Sequence, residues 1–271
     1  MEQLSLQEIH KATLEMMDYI HRLCEENHIV YYLAYGTLIG AVRHNGFIPW
    51  DDDFDIQMTR EEYGRFRDAF WKENHAWYRI CDRKETENYF YGIPRFSDSR
   101  FHYSTTHPGL KPFDSGLFID IYILDDFGNT PEDAERIKKK IIRKNMIYEV
   151  YLNKEDGQGK ANPLVRKICH ALLRARYGRR YSQRIDEEVY RAIRKLTSPA
   201  DRQTGEVCWD VQITPYRKEW LAERELHDFD GRQYWIPREY DTILKTEYGD
   251  YMQRPPPEKR LPQHEYTITR A

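Results

Sequence analysis

Apolar residues first recur along this chain with a helical period. Leu14, Met17, Ile20, Leu23 and Cys24 predict an amphipathic helix over 5–26. The β-branched and aromatic run from Ile29 to Tyr35 reads as a strand ending at Gly36, followed by a short helix over Thr37 to His44 and a turn at Asn45-Gly46. Asp53 to Met58 is a second strand, in which Asp53, Asp55 and Gln57 share a face by the period of two. Thr59 with Glu62 forms a capping-box signature for a helix running to about Lys72.

Between Tyr78 and Thr105 three short strand-like runs alternate with polar turns. Gly116 to Leu124, GLFIDIYIL, is apolar enough for a buried strand, but Asp120 interrupts it. Helical patterns dominate 131–198, broken by EDGQGKANP at 155–163 and by Gly178. Asp230-Gly231 lies between strand-like flanks and predicts a hairpin, Arg238 to Tyr248 a last helix, and RPPPEKRLPQHEY an extended surface tail. The mixture predicts an α/β (α+β) fold, a mixed sheet flanked by helices, in one domain over 1–271. Residues 131–198 form a basic helical insertion in it, and 250–271 a Pro-rich tail packing back on the core.

Composition narrows the setting. The 271 residues, 40% hydrophobic, suffice for a substantial core. No stretch reaches the length of a membrane span and the start MEQLSLQEIH lacks a signal-peptide pattern, so a cytoplasmic protein is expected. Cys24, Cys81, Cys169 and Cys208 have no paired spacing and read as core thiols. A net charge of -3 conceals a basic segment: from Arg136 to Lys195 there are eighteen Lys or Arg against six Asp or Glu. That segment is either the solvated face of exposed helices or a surface for anionic lipid or a phosphate-rich polymer. The acidic remainder, with no recognisable nucleic-acid module, argues against a nucleic-acid partner.

The chemistry concentrates around YGTLIGAVRHNGFIPWDDDFDI, where Asp51, Asp52, Asp53 and Asp55 fall within five positions. Crowded carboxylates raise one another's pKa, so a positive charge belongs among them, a divalent cation first. Asp120 sits in a buried strand where a lone charge is strongly disfavoured. If the strands at 53–58 and 117–123 are neighbours, Asp53, Asp55 and Asp120 converge. Hard oxygen ligands with room for water and phosphate suit Mg²⁺ or Mn²⁺ and predict a phosphoryl-transfer site. Gly36-Thr37, at a strand-to-helix turn, lets backbone amides approach a phosphate. Arg43 is either a phosphate ligand or an ion-pair partner of the aspartates. Asp51 and Asp52 either support the ligand set or cap the turn.

Strand-Gly-Thr, then Asp-x-Asp, then a single Asp in a later strand resembles the nucleotidyltransferase superfamily. More narrowly, GTLIGAVRHNGFIPWDDDFDI, GLFIDIYILDD and YGDYMQRPPPEKRLPQH resemble the LicD family over most of the chain. The resemblance implies a nucleotidyltransferase-like sheet and a metal-dependent enzyme. Its activity would be transfer of a phospho-alcohol, most often phosphocholine, from a CDP-alcohol such as CDP-choline to a sugar of a bacterial cell-surface glycan (teichoic acid, lipopolysaccharide or capsule precursor). It carries Asp53, Asp55 and Asp120 over as metal ligands and catalytic residues, places Asp51 beside Trp50 in its motif, and allows His264 to fold back onto the site, although an exposed tail histidine explains that residue equally. Trp50, Tyr35, Tyr91 and Tyr122 are candidates to stack on cytosine or enclose a quaternary ammonium, against the core packing that claims most of the 21 tyrosines. Lipid-linked acceptors would place the basic helices at the inner face of the membrane. The competing expectations are a nucleotidyltransferase of another acceptor and a non-catalytic glycan-binding relative.

Overall fold

The computed structural model describes residues 2–86, 89, 91–105, 113–152, 163–177, 181–206, 215–262 and 266–271. Helix α1 (Leu6–Glu26) starts at Ser5, whose hydroxyl accepts from the Glu8 amide while the Glu8 carboxylate accepts from the Ser5 amide. Strand β1 (Tyr32–Leu33) is far shorter than the run from Ile29 to Tyr35, because Tyr35 already opens α2 (Tyr35–His44). Strand β2 (Asp55–Thr59) leads into α3 (Arg60–Glu73), β3 (Tyr78–Cys81), β4 (Arg95–Asp98), β5 (Phe101–Thr105) and β6 (Leu117–Asp126). Helices α4 (Pro131–Leu152), α5 (Pro163–Tyr177) and α6 (Tyr181–Arg194) account for the basic segment. They are followed by β7 (Gln203–Glu206), β8 (Tyr216–Arg217), β9 (Arg224–Phe229), β10 (Arg232–Pro237), α7 (Tyr240–Tyr248) and β11 (Tyr266–Arg270).

The sheet that positions the chemistry is mixed. Its seven strands run β1-β2-β6-β4-β3, with β7 on β6 and β8 on β7. Strands β2 and β6 are parallel, with Asp55 beside Asp120 and Gln57 beside Tyr122. Alternation then decides the faces: Ile56, Met58, Ile119 and Ile121 join Met16 and Met17 of α1 and Phe66 and Phe70 of α3 in the main core, leaving Asp55 and Asp120 on the other face. Along one edge of β6 the sheet forks. Strand β4 pairs with Leu117 to Asp120, whereas β7 joins only from Leu124 to Asp126.

Two predicted features take a different form. Only half of the capping box at α3 closes: Thr59 Oγ1 accepts from the Glu62 amide, but the Glu62 carboxylate accepts the Val30 amide, tying α3 to the approach of β1. The Pro-rich tail is not extended throughout. It makes a 3-10 turn over Pro257–Lys259, and β11 pairs antiparallel with β5 while Ile268 accepts from the Leu4 amide. The hairpin at Asp230-Gly231 forms with φ of 48° and 76°, the turn conformation that favours Asp-Gly. Cys24 and Cys81 are buried free thiols. Of the break predicted over 155–163, Pro163 opens α5 and residues 155–162 lie outside the described residues, as do Gly178, Cys208, the Cys169 side chain and His264.

Candidate active site

The site is built where α2 begins, β2 begins and β6 passes its middle. Tyr35 opens α2 with φ 48°, a left-handed conformation that strains a non-glycine residue by about 1–3 kcal/mol. Its ring meets Tyr122 edge-on at 4.7 Å and its hydroxyl bonds to Glu206. The N-cap residue, Ala34, has no side chain that can cap this helix end. At Gly36 a Cβ would fall 2.7 Å from Asp51 Oδ2, so the missing side chain is what admits that carboxylate to the first turn of α2. Thr37 is buried and its Oγ1 accepts from the Asp55 amide at 2.9 Å. It acts by fixing the start of β2.

Asp55 and Asp120 stand side by side on adjacent strands, and both are buried. Asp53 precedes β2, so it reaches the site from an extended loop and is only half-buried. Asp55 registers the crowding: burial, then Asp53, Asp120, Asp51 and Glu206, push its carboxyl well above the usual carboxylate range. Asp55 Oδ1 is buried with no hydrogen-bond partner. Such an oxygen costs stability until a proton or cation satisfies it, and hard oxygen donors suit Mg²⁺ or Mn²⁺. The donor chemistry therefore fits a divalent ion. The carboxylates are gathered short of a closed ligand set, since no three His, Cys, Asp or Glu side chains among the described residues are placed to hold one.

Asp120 is not the lone buried charge that the strand pattern suggests. Arg95, directly opposite it on β4, donates from Nε to Asp120 Oδ1 at 2.9 Å. The guanidinium is itself buried, sandwiched 3.7 Å from the ring centroids of both Tyr91 and Phe118. Arg95 escaped the sequence reading because nothing in RFSD foretells its partner. Glu206 escaped as well: QTGE carries no apolar signature, yet it forms β7 and brings the carboxylate onto Gln57 Nε2 at 2.9 Å.

The remaining candidates have structural partners. Arg43 donates from Nη1 to the Tyr251 carbonyl at 2.6 Å, tying α2 to the tail, and lies near enough to Asp51 to feel its charge. Trp50 is half-buried against the core, with the Arg260 guanidinium 5.6 Å from its ring centroid. Tyr91 stacks on Arg95, whereas Tyr35 and Tyr122 meet beside the carboxylates, where Tyr248 and Tyr266, not singled out in the sequence, also lie. Asp52 is buried, and its carbonyl accepts from the Tyr266 hydroxyl at 2.5 Å, so β11 clamps the aspartate loop.

With this geometry in place, the comparisons with known proteins become specific. Residues 28–134, which contain every carboxylate just described except Glu206, match the domain model LicD/FKTN/FKRP, nucleotidyltransferase domain. Lipopolysaccharide cholinephosphotransferase LicD of Haemophilus influenzae is 31% identical over 265 residues, spanning 97% of each chain. The chain belongs to the LicD family. An uncharacterized protein of Rickettsia typhi shares 40% identity over 70 residues, 26% of this chain and 23% of its own. In this LicD-family chain, then, the crowded carboxylates lie within the family domain, whereas α5, α6 and Glu206 lie outside the matched span.

Proposed function

We propose that this LicD-family chain transfers phosphocholine from CDP-choline to a sugar hydroxyl of a cell-surface glycan and releases CMP. The observation that carries the reading is the lateral pair Asp55 and Asp120, with a buried unpartnered oxygen on Asp55, in a chain similar over its whole length to a lipopolysaccharide cholinephosphotransferase. Asp55, with Asp53 and Asp120 beside it, would hold Mg²⁺ or Mn²⁺. That ion, when bound, offsets the charge of the donor's diphosphate. The N-terminal end of α2, where Gly36 leaves the backbone open to close approach, would favour a phosphate oxygen of the donor. The acceptor oxygen forms a bond to the choline-bearing phosphorus while the bond from that phosphorus to the bridging oxygen breaks. CMP leaves with that oxygen and the hydroxyl proton passes to a carboxylate of the cluster. Arg95 holds Asp120 in place during the exchange. The basic helices α4 to α6 hold the enzyme at an anionic membrane surface, where lipid-linked acceptors reside.

Incubation with CDP-choline, Mg²⁺ and lipopolysaccharide oligosaccharide, followed by product analysis, tests this. CMP and a phosphocholine-bearing glycan are expected, with activity lost on chelation and restored by Mg²⁺. Release of phosphocholine with a cytidylated glycan would establish nucleotidyl transfer instead. Asp55→Asn and Asp120→Asn are each expected to lower kcat by 10²-fold or more; unchanged transfer in both would remove the carboxylates from the chemistry.

A further inference from the structure

The fork in the sheet opens into a cavity of about 620 Å³, large enough for two or three sugar rings. Its floor lies at the β6 edge between β4 and β7, marked by Pro94, Ile123 and Glu206. One wall comes from α3 and the loop after β3, with Arg67, Arg83 and Lys84; another comes from α6, with Arg191 and Arg194, and from Lys195 just after it. Seven cationic side chains line the cavity against three acidic ones. Two of the acids are committed elsewhere: Asp82 accepts from the Tyr63 hydroxyl and the Lys84 and Glu85 amides, and Glu206 accepts from Gln57. Two of the cations are committed as well, Arg60 to Asp125 and Arg67 beside Glu85, which leaves the cationic character of the cavity chiefly to Lys84, Arg191, Arg194 and Lys195.

The cavity adjoins the reaction site. Tyr91 lines it and stacks on Arg95, the partner of Asp120; Glu206 lines it and meets Gln57, two residues along β2 from Asp55. One layer of side chains thus separates it from the carboxylates. No residue of α2 is among its lining, so a phosphate seated on the α2 amides lies outside it. In-line displacement requires the attacking hydroxyl to approach phosphorus from the side opposite the leaving group, which calls for separate donor and acceptor seats. The α6 wall also lies outside residues 28–134, whereas the residues assigned to the donor lie inside them.

We infer that this cavity between α3 and α6 is the acceptor site, and that it selects an anionic oligosaccharide through Arg191, Arg194 and Lys195. The assignment rests on the glycan-transfer reading above and adds where the glycan sits and which charge it carries. Guanidinium groups bind phosphate and carboxylate in the same bidentate manner, so either substituent satisfies the site.

The double variant Arg191→Glu/Arg194→Glu, with Arg191→Ala/Arg194→Ala as a milder companion, tests it. Folding is checked by circular dichroism, and both positions are exposed. In transfer assays the acceptor KM is expected to rise tenfold or more, with the CDP-choline KM within twofold of wild type. A raised CDP-choline KM with an unaltered acceptor KM would overturn the assignment and make the cavity the donor's. Calorimetry without donor provides a readout independent of turnover. Lipid-free lipopolysaccharide core oligosaccharide is expected to bind wild type and not the variant. Its phosphatase-treated form distinguishes phosphate from carboxylate recognition: weakened binding assigns phosphate, retained binding carboxylate. A neutral oligosaccharide binding as tightly as the core would overturn the inference. Binding lost in the variant while CDP-choline proves inert would uphold the cavity and sink the choline reading; transfer that is indifferent to both variants would do the reverse.

Discussion

At the scale of single residues, the site is governed by how buried charges are compensated. Arg95 and Asp120 neutralise each other in the interior, so removing one partner strands the other. Arg95→Met is expected to cost about 3–5 kcal/mol in urea denaturation, and adding Asp120→Asn to recover part of that loss; a double variant no more stable than the single would show that the pair is not coupled. Glu247 is compensated differently. Burial and then Glu206 push its carboxyl up to about 8 from an ordinary 4.5, and its Oε2 has no partner. Because the folded value is the higher one, the stability that protonated Glu247 contributes is fully present below about 4.5 and is lost as pH rises through about 8. Glu247→Gln should therefore flatten the decline over that window, which in wild type reaches at most about 1.4 kcal/mol per pH unit from this group. Melting curves of both proteins from pH 5 to 9 measure the difference, and parallel profiles would exclude it. Carboxylates of the motif were legible in the sequence because they cluster within five positions. Arg95, Glu206 and Glu247 were not, since each meets its partner only through strand pairing or packing between distant segments.

At the scale of elements, legibility followed periodicity. The boundaries of α1, α3, β6 and the β9–β10 hairpin lie within a few residues of the sequence reading because each has a regular apolar pattern, a capping residue or an Asp-Gly turn. β7 and β8 are short and polar and gain strand geometry only by pairing on β6 and on each other. The start of α2 was displaced by two residues because left-handed Tyr35 is no sequence preference; it is imposed by Glu206 and Tyr122 from elements far along the chain. The same dependence makes β11 part of the site's support. Ile268 is buried in the main core, and Tyr266 bonds to the carbonyl of Asp52. Ile268→Ala is expected to cost about 2–5 kcal/mol. Tyr266→Phe leaves the packing and removes only the hydroxyl, so a fall in kcat with little change in melting temperature is expected. An unchanged kcat would separate the tail from the chemistry.

At the scale of the whole molecule, charge and apolar surface fall on the same helical addition. The eighteen cationic residues between Arg136 and Lys195 outnumber the acidic ones threefold, and α5 presents Leu164, Ile168 and Leu172 four residues apart, exposed by 64%, 52% and 64%. Such a stripe beside cations suits a helix lying in a membrane interface, its cations drawn to anionic headgroups, and this is the contact proposed for the basic helices. No helix among the described residues is long and apolar enough to cross a membrane, so the contact proposed is peripheral. Each basic side chain near an anionic surface contributes about 1 kcal/mol and each inserted leucine about 1.5–3 kcal/mol. The two contributions respond differently to salt, because screening weakens the first and spares the second. In sedimentation with anionic vesicles, wild type should bind at low salt and be partly retained at high salt. Ile168→Glu/Leu172→Glu should bind weakly at low salt and be released fully at high salt. If wild type fails to sediment with anionic vesicles even at low salt, the basic helices are solvated faces only, and the cations on α6 are left to the acceptor cavity alone.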